Sequence, residues 1–392
     1  MIYLDNASTT PIDPAVFEAM LPYLKEQYGN PGSLYSIGRE AHKAVEKARE
    51  QTAAFIGAEP HQIIFTSGGT EANNTVFFGL SEQFNRKGKR HIITSAAEHD
   101  SVLKAVREMC IKHGFYKTET GIDAQGCAVP GLVKDAINIA TGIVSVMYVN
   151  NETGAENDIF AISDICRTKG VLFHTDCVQA AGSCPIDVRQ IGCDFLSLSS
   201  HKIYAPKGCG ALFIKRPDEI SPLIHGGSNQ EFGLRGGTEN VAAIVGFGKA
   251  CELMGSRLHS ADILTSSLKQ VFWQALCEAL TSAELSDTVH INGGSPVKHG
   301  RILNLRFDGV DGETLVLMLD HKGVCVSAGS ACRSHESEPS RVLTAMGLTP
   351  EEARSSIRVS FSCFNTEAET IEAAKTIAAC AALLRHSVPG RK

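Results

Sequence analysis

Short apolar strands alternate with amphipathic helices over most of the chain, and this alternation constrains its fold more than any other feature. Strands are predicted at residues 63–66, 91–95, 143–149, 171–175, 194–200 and 210–214, and helices at 14–24, 38–55, 101–113 and 159–169. Residues 143–149 are apolar almost throughout, which is typical of a strand buried on both faces of a parallel sheet. The pattern predicts an α/β protein whose mainly parallel sheet is flanked by helices.

Polar side chains follow the ends of four predicted strands: His99, Asn151, Asp176 and Lys202. Because parallel strands end at the same edge of a sheet, these side chains are expected to meet along one rim, where open α/β sheets bind their ligands. Taken singly, Asp176 could equally cap a helix and His99 could belong to a turn.

Lys202 ends the stretch Asp194-Phe195-Leu196-Ser197-Leu198-Ser199-Ser200-His201-Lys202, and turn residues follow it. A lysine held at the end of a buried strand can lose its proton through desolvation and attack an aldehyde as a neutral amine. A solvated loop lysine is the alternative.

A second candidate site lies where the strand 63–66 runs into Ser67-Gly68-Gly69-Thr70 and a helix. Free backbone N–H groups at a helix N-terminus form a cradle for phosphate. Glycine pairs also occur at such turns for steric reasons alone. The spacing matches neither the Walker nor the dinucleotide fingerprint, which argues against ATP and NAD.

The length of 392 residues predicts one large domain and a smaller one. The α/β alternation changes character around residues 255–261, and we place the boundary there, so that the large domain is residues 12–258 and residues 1–11 and 259–392 form the smaller α+β domain. In the smaller domain we expect a helix at 264–280, separate from one that begins near Val241, and strands at 302–307, 324–327 and 357–361.

Charge and cysteine content exclude several classes of protein. The net charge of −6 argues against nucleic-acid binding, and no apolar run reaches the roughly 18 residues of a membrane span. The thirteen cysteines contain no Cys-x-x-Cys pair, so neither a zinc site nor a secreted disulfide framework is predicted. No signal peptide is recognisable at the start, and we expect a cytoplasmic protein.

Eight segments together resemble the cysteine desulfurases, which depend on pyridoxal 5'-phosphate and have fold type I, the fold of class V aminotransferases. They are 3–7, 29–31, 66–74, 98–99, 149–154, 200–202, 234–238 and 327–332. The resemblance runs from residue 3 to about residue 370, and with Glu338-Pro339-Ser340 the chain most resembles the NifS/IscS-like branch.

The resemblance implies how the cofactor would be held. Lys202 would bind it as a Schiff base, Asp176 would pair with the ring nitrogen, Gln179 would hydrogen-bond the ring hydroxyl, and His99 would stack on the ring and move protons. The residues implied for the phosphate are Gly69, Thr70, Ser199, His201 and, from the second subunit of a homodimer, Thr238.

The resemblance also implies the reaction. Asn151 and Arg358 would hold the carboxylate of L-cysteine, and the thiolate of Cys332 would take its sulfur as a persulfide, leaving L-alanine. The sulfur would pass to an acceptor protein, in iron–sulfur cluster assembly, tRNA thiolation or DNA phosphorothioation. Cys325 is expected to be buried and inert.

Three alternatives stay open: a selenocysteine lyase, an aminotransferase of the same fold, and a non-catalytic scaffold for sulfur transfer. The chain also departs from the usual pattern at Tyr35, Phe232 and Ser362-Cys363. None of these positions carries a catalytic group, so they bear on substrate entry and partner recognition.

Overall fold

The computed structural model describes residues 1–227, 229–293, 300–328 and 338–386. Cys332, the predicted nucleophile, lies outside these ranges. The helices are α1 Pro14–Lys25, α2 Ser36–Ile56, α3 Gly69–Lys87, α4 Asp100–His113, α5 Pro130–Ala136, α6 Ile159–Lys169, α7 Val188–Ile191, α8 Val241–Ser282, α9 Gly312–His321, α10 Arg341–Ala345, α11 Pro350–Arg354 and α12 Glu367–His386.

The strands are β1 Ile2–Tyr3, β2 Ile63–Thr66, β3 His91–Ser95, β4 Tyr116–Thr120, β5 Thr141–Ser145, β6 Leu172–Asp176, β7 Phe195–Ser199, β8 Gly210–Ile214, β9 Val289–Ile291, β10 Ile302–Phe307, β11 Val324–Cys325, β12 Ser327–Ala328 and β13 Ser356–Ser360. Sequence analysis missed β4, β9, α5, α7 and α11. It predicted one strand at 324–327, where the structure has two short strands that pair with different partners.

A seven-stranded sheet in the order β2-β8-β7-β6-β5-β3-β4 forms the centre of the molecule. Its strands pair in parallel from β7 to β4, and β8 runs antiparallel to both of its neighbours. Strands β2, β3, β5, β7 and β8 are buried along their whole length, as expected for strands covered by helices on both faces. The α/β class with a mainly parallel sheet, predicted from the sequence, is confirmed.

A second sheet of four strands, in the order β12-β13-β10-β9, lies in the C-terminal part of the chain. The N-terminal strand β1 pairs with β11, and its Ile2 packs into the same apolar cluster as Phe307 and Phe361. The N-terminal residues thus pack with the C-terminal part of the chain, although more than 300 residues separate them in sequence.

Helix α8 differs from the prediction, because the two helices expected on either side of residues 255–261 are one helix of 42 residues. No proline interrupts residues 241–282, and Gly255, the glycine at the expected break, is tolerated inside a helix at a cost of about 1 kcal/mol. Buried apolar residues between Ala243 and Met254 belong to the cluster around the large sheet, whereas those between Leu268 and Leu280 belong to the cluster around the small sheet. The division into domains 12–258 and 1–11 with 259–392 stays a prediction.

In the described part of the chain, no helix combines the length and the apolarity that a membrane crossing requires.

Candidate active site

Lys202 lies in a short helical turn, residues 200–202, directly after β7. Its Nζ donates hydrogen bonds to the carbonyl oxygens of Ala7 at 2.7 Å and Ser8 at 2.6 Å. Burial, together with the positive charges of Arg358 and Arg301, lowers the pKa of Lys202 to about 7 against the opposing effect of the carboxylates of Asp5 and Asp176. The amine is therefore partly neutral at physiological pH, as a nucleophile toward an aldehyde must be.

The N-terminal arm, residues 3–11, closes one side of this site. The Ala7 carbonyl that accepts from Lys202 also accepts from Nε2 of Gln179 at 2.8 Å. The hydroxyl of Thr9 lies 3.1 Å from Nδ1 of His201. Burial lowers the pKa of His201 to about 4, and the neighbouring Lys202 contributes to the shift, so the imidazole is neutral at physiological pH.

Asp176 is the last residue of β6 and is buried, and two donors fix its carboxylate. The backbone N–H of Val178 donates to Oδ1 at 2.9 Å, and the side-chain amide of Asn73 donates to Oδ2 at 2.8 Å. A carboxylate held in this way is oriented for one further donor, such as a protonated ring nitrogen.

Asn73 and Ser101 connect Asp176 to His99. The Asn73 amide also donates to the Ser101 hydroxyl at 2.8 Å, and that hydroxyl lies 2.7 Å from Nδ1 of His99. The backbone N–H of Ser101 donates to the same Nδ1 at 3.1 Å. Since an N–H can only donate, Nδ1 carries no proton, and the imidazole proton is on Nε2.

The Gly68-Gly69-Thr70 junction has the features of a phosphate cradle. Gly68 has φ +152, a conformation that L side chains rarely adopt, and a Cβ on Gly69 would lie 2.7 Å from the Val178 side chain. In the part of the chain that the structure describes, no side chain caps the N-terminus of α3, so its first backbone N–H groups are available to a ligand. The buried Ser199 lies beside this turn, 3.8 Å from the position of a Cβ on Gly68, and Thr70 is exposed there.

Arg358 of β13 is held between the N-terminal arm and Asn151. Nη2 donates to Asp5 at 2.8 Å and to the Ser8 hydroxyl at 2.6 Å, and Nη1 donates to the Asn151 carbonyl at 2.8 Å. Its buried Nε has no partner among the described residues. A donor is thus available on a guanidinium whose position is already fixed, which suits a carboxylate ligand.

The structure therefore brings together most of the residues that sequence analysis assigned to a site. Hydrogen bonds connect Asp176 with His99 through Asn73 and Ser101, and they connect Lys202 with Gln179 through Ala7. Thr238 is exposed, and no hydrogen bond among the described residues joins it to this site.

Sequence reasoning missed several residues of the site: Asp5, Ser8, Asn73, Ser101 and Arg301. Asp5 and Asn73 lie inside segments that carry the family resemblance, so their residue types were visible but not their contacts. Arg301 stands alone before an apolar strand, and no pattern in the sequence marks it.

Cys325 is half-buried rather than fully buried as predicted. It lies on the two-residue strand β11, which pairs with β1, and such a short strand covers its side chains incompletely. Burial nevertheless raises the pKa of the Cys325 thiol, with a contribution from the nearby Asp320. A raised pKa keeps the thiol protonated at neutral pH, which favours an unreactive thiol. The inertness of Cys325 stays a prediction.

Comparison with known proteins places this chain in a family. Residues 2–372 match the family model described as aminotransferase class V. A cysteine desulfurase IscS of Dictyoglomus turgidum is 43% identical over 366 residues, which cover 93% of this chain and 91% of that protein.

Solved structures agree with this assignment. A NifS-like protein superposes with a TM-score of 0.87 and 33% identity, covering 96% of this chain and 98% of that one. The structure described as SspA in complex with cysteine superposes with a TM-score of 0.79 and 33% identity, covering 93% of this chain and all of that one (100%). This chain belongs to the class V aminotransferase family and, within it, to the pyridoxal-phosphate-dependent cysteine desulfurases of the NifS/IscS-like branch.

Proposed function

We propose that this chain converts L-cysteine to L-alanine and carries the released sulfur as a persulfide on Cys332 for an acceptor protein. The observation that carries the proposal is Lys202, an amine with a pKa of about 7 that lies at the end of β7 in one hydrogen-bonded site with Gln179 and Arg358.

The residues of the site fit pyridoxal 5'-phosphate. The uncapped N-terminus of α3 and Ser199 would receive the phosphate, Lys202 would bind the aldehyde carbon, and Asp176 would face the ring nitrogen. Gln179 would donate to the ring oxygen, and His99 would lie against the ring. When bound, the cofactor supplies an electron sink for the negative charge that develops on the substrate.

The side chains of the site would bind the substrate and transfer protons. Arg358 and Asn151 would hold the carboxylate of L-cysteine, for which the unpaired Nε of Arg358 is available. Lys202, released from the cofactor, would take the Cα proton, since an amine with a pKa near 7 is a suitable general base at neutral pH. His99 presents an Nε2–H, and it can therefore donate a proton within the site.

Sulfur transfer would use Cys332. Its thiolate attacks the substrate sulfur, the new S–S bond forms as the C–S bond breaks, and the substrate carbon takes a proton to become the methyl group of alanine. The neighbouring described residues support this role, because Ser327 pairs with Arg358 across β12 and β13 and Ser340 donates to Glu152, next to Asn151. The described residues on both sides of the Cys332 segment therefore lie beside the site.

We also propose a homodimer in which Thr238 reaches the phosphate of the other subunit. Large apolar side chains are exposed on α1 and on the segment between α1 and α2, including Tyr28 at 78% and Leu34 at 90% exposure. Exposed apolar side chains grouped in one part of the chain suggest a subunit interface. Arg235, three residues before Thr238, forms an ion pair with Glu71 of α3 at 3.0 Å. This ion pair fixes the start of the segment that carries Thr238 beside the phosphate cradle.

We propose a reducing compartment such as the cytoplasm, because the described cysteines do not form disulfides. None of the twelve that the structure describes forms a disulfide, and most are buried. Unpaired cysteines in this number are unusual in secreted proteins.

Cys332→Ala tests the proposed function. The purified wild-type protein with pyridoxal phosphate and a thiol reductant should release alanine and sulfide from L-cysteine, because Lys202 and Cys332 act in sequence. We expect Cys332→Ala to bind cysteine, which perturbs the absorption of the cofactor, yet to lose at least about a thousandfold in alanine formation, the range that nucleophile deletions reach.

Cys325→Ala is the matched control and should retain wild-type turnover. Desulfuration by Cys332→Ala, or a persulfide found by mass spectrometry on Cys325 or Cys363, would contradict the assignment. Turnover of selenocysteine alone, or transamination without sulfide release, would favour the alternative enzymes of this fold, and the absence of any turnover would favour a scaffold.

A further inference from the structure

Arg301 precedes β10 and reaches from the C-terminal part of the chain into the active site. It is 2% exposed, and its guanidinium donates to the carbonyl of Lys202 at 3.0 Å through Nη1 and to Oε1 of Gln179 at 3.2 Å through Nη2. One side chain thus touches the two residues assigned to the aldehyde carbon and to the ring oxygen of the cofactor.

These contacts determine which end of the Gln179 amide faces which neighbour. A guanidinium has only donors, so the Gln179 atom facing Arg301 must be the oxygen. The carbonyl of Ala7 can only accept, so the atom facing it must be the nitrogen. The amide has no alternative orientation with the same partners, and one N–H of Nε2 is left to donate to a ligand.

Arg301 also brings a positive charge with which no carboxylate of the described residues forms an ion pair. Within the described ranges its partners are the neutral groups of Gln179, Lys202 and Tyr204, and its Nε is unpaired. A buried cation without a counter-ion is costly, and such groups are concentrated at functional sites. Its charge is one of those that lower the pKa of Lys202, and it equally favours an anionic atom bound beside Gln179.

Gly182 provides the space for the guanidinium. A Cβ at this position would lie 2.8 Å from Nη1 of Arg301, closer than real contacts allow. Gly182 has an ordinary negative φ, so the backbone itself would accept alanine there. The close approach of Arg301 is therefore the reason for glycine at this position.

We propose that Arg301 is a positioning residue of the active site: it fixes the Gln179 amide with its N–H toward the ring oxygen of the cofactor and stabilises that oxygen as an anion. The inference rests on the proposed function, because it concerns the cofactor of that reaction. Arg301 itself is not assigned a contact with substrate or cofactor. It acts through Gln179 and through its charge.

The experiment compares Arg301→Met, Arg301→Lys and Gly182→Ala with the wild type and with Arg306→Met. Arg306 lies on β10, the strand that follows Arg301, and pairs with Asp308 and Glu352, away from the site, so its variant is the matched control. Two quantities are measured: the dissociation constant of pyridoxal phosphate for the cofactor-free protein, and the pH at which the absorption of the bound cofactor changes.

We expect Arg301→Met to weaken cofactor binding about tenfold, equivalent to about 1.4 kcal/mol for one lost charge-assisted hydrogen bond. The spectral transition should move up by about one pH unit, because an anionic ring oxygen loses its nearby cation. Arg301→Lys should restore part of the shift through its charge, and Gly182→Ala, which displaces the guanidinium sterically, should move both quantities in the same direction as Arg301→Met.

A spectral transition that stays at the wild-type pH in Arg301→Met and Gly182→Ala would overturn the proposal, even if cofactor binding weakened, because a merely structural role would not act on the ring oxygen. If Arg301→Met does not fold, Arg301→Lys and Gly182→Ala decide by the same measure. Failure of the proposed function would look different, because the wild-type protein itself would then bind no cofactor or leave L-cysteine unchanged.

Discussion

At the scale of single residues, the site depends on groups whose burial changes their chemistry. Lys202 is made a partly neutral amine by burial and by two arginines, and Glu98, next to His99, has its pKa raised to about 8 by complete burial. Glu98 accepts from Ser95 and from the backbone N–H of Met147 through one oxygen, while the other has no partner among the described residues. A protonated Glu98 beside His99 avoids a second buried negative charge near Asp176.

The pKa of Lys202 predicts a pH profile for its reactivity. In the cofactor-free protein, acetylation of Lys202 by acetic anhydride should be half-maximal near pH 7 and should fall about tenfold for each pH unit below it, because only the neutral amine reacts. Quantitative mass spectrometry of the peptide containing Lys202 measures this profile.

Arg358→Met should move the midpoint upward, since the removed charge no longer opposes protonation of Lys202. Arg306→Met is the control and should leave the midpoint where it is, because Arg306 pairs with Asp308 and Glu352. A midpoint near the ordinary lysine value of about 10.4 in the wild type would refute the account of Lys202 given above.

At the scale of elements, the edge of the large sheet is closed by an ion pair instead of a strand. β2 is an end strand, and its outward groups are the Ile63 carbonyl and the Phe65 N–H. Arg49 of α2 donates to the carbonyl at 2.8 Å, and Glu231 accepts from the N–H at 2.7 Å. The two side chains also form a buried bidentate pair at 2.8 and 2.9 Å, which satisfies the edge and excludes further strands.

This pair explains a departure noted in the sequence. Phe232 stands where a basic residue is usual in this family, and its ring lies 4.9 Å from the Arg49 guanidinium, a cation–π distance. Glu231 and Phe232 both have positive φ, 42 and 56, which costs about 1 kcal/mol or more for each non-glycine residue. The contacts of Arg49 with both side chains offset that strain.

Glu231→Gln should lower the free energy of unfolding by about 3 kcal/mol, because it removes the buried carboxylate that pairs with Arg49 and leaves only the partly exposed Glu46 as a charged partner. Urea unfolding at a fixed protein concentration measures the loss. The double variant Arg49→Met with Glu231→Gln should lose clearly less than the sum of the two single variants, since no uncompensated charge then remains.

Glu40→Gln is the control for the buried pair. Glu40 forms an exposed ion pair with Lys43 on α2, the helix that also carries Arg49. It should change stability by less than about 1 kcal/mol. An equal loss in the free energy of unfolding for Glu40→Gln and Glu231→Gln would show that the buried pair contributes no more to stability than the exposed one.

At the scale of the whole molecule, the prediction concerns the dimer. Light scattering should give twice the chain mass of 42.0 kDa, and Thr238→Ala should weaken retention of pyridoxal phosphate several-fold, about the loss of one hydrogen bond to a charged group. Thr168→Ala is the control, because Thr168 is an exposed threonine on α6 whose hydroxyl donates to the Asp164 carbonyl of the preceding helix turn. A fully active monomer, or a Thr238→Ala protein that retains cofactor like the wild type, would contradict the shared site.

Local sequence pattern determined the elements of this protein to a large extent. β2, β3, β8, β10 and α6 have the predicted ends, because apolar periodicity, capping residues and glycines act over a few residues. Parallel strands must end on one side of their sheet, and so the rim holding His99, Asn151, Asp176 and Lys202 also followed from the pattern. The family resemblance then supplied roles for these residues.

Only the tertiary structure decided which side chains contact them. Arg301 meets Gln179, Asn73 joins Asp176 to Ser101, and Arg49 pairs with Glu231, over separations of 122, 103 and 182 residues. The continuity of α8 across two apolar clusters likewise depends on packing, not on local propensity. Hydrogen bonds and burial between residues distant in sequence leave no periodic trace in the chain, and yet they set the charge state of Lys202 and the orientation of Gln179.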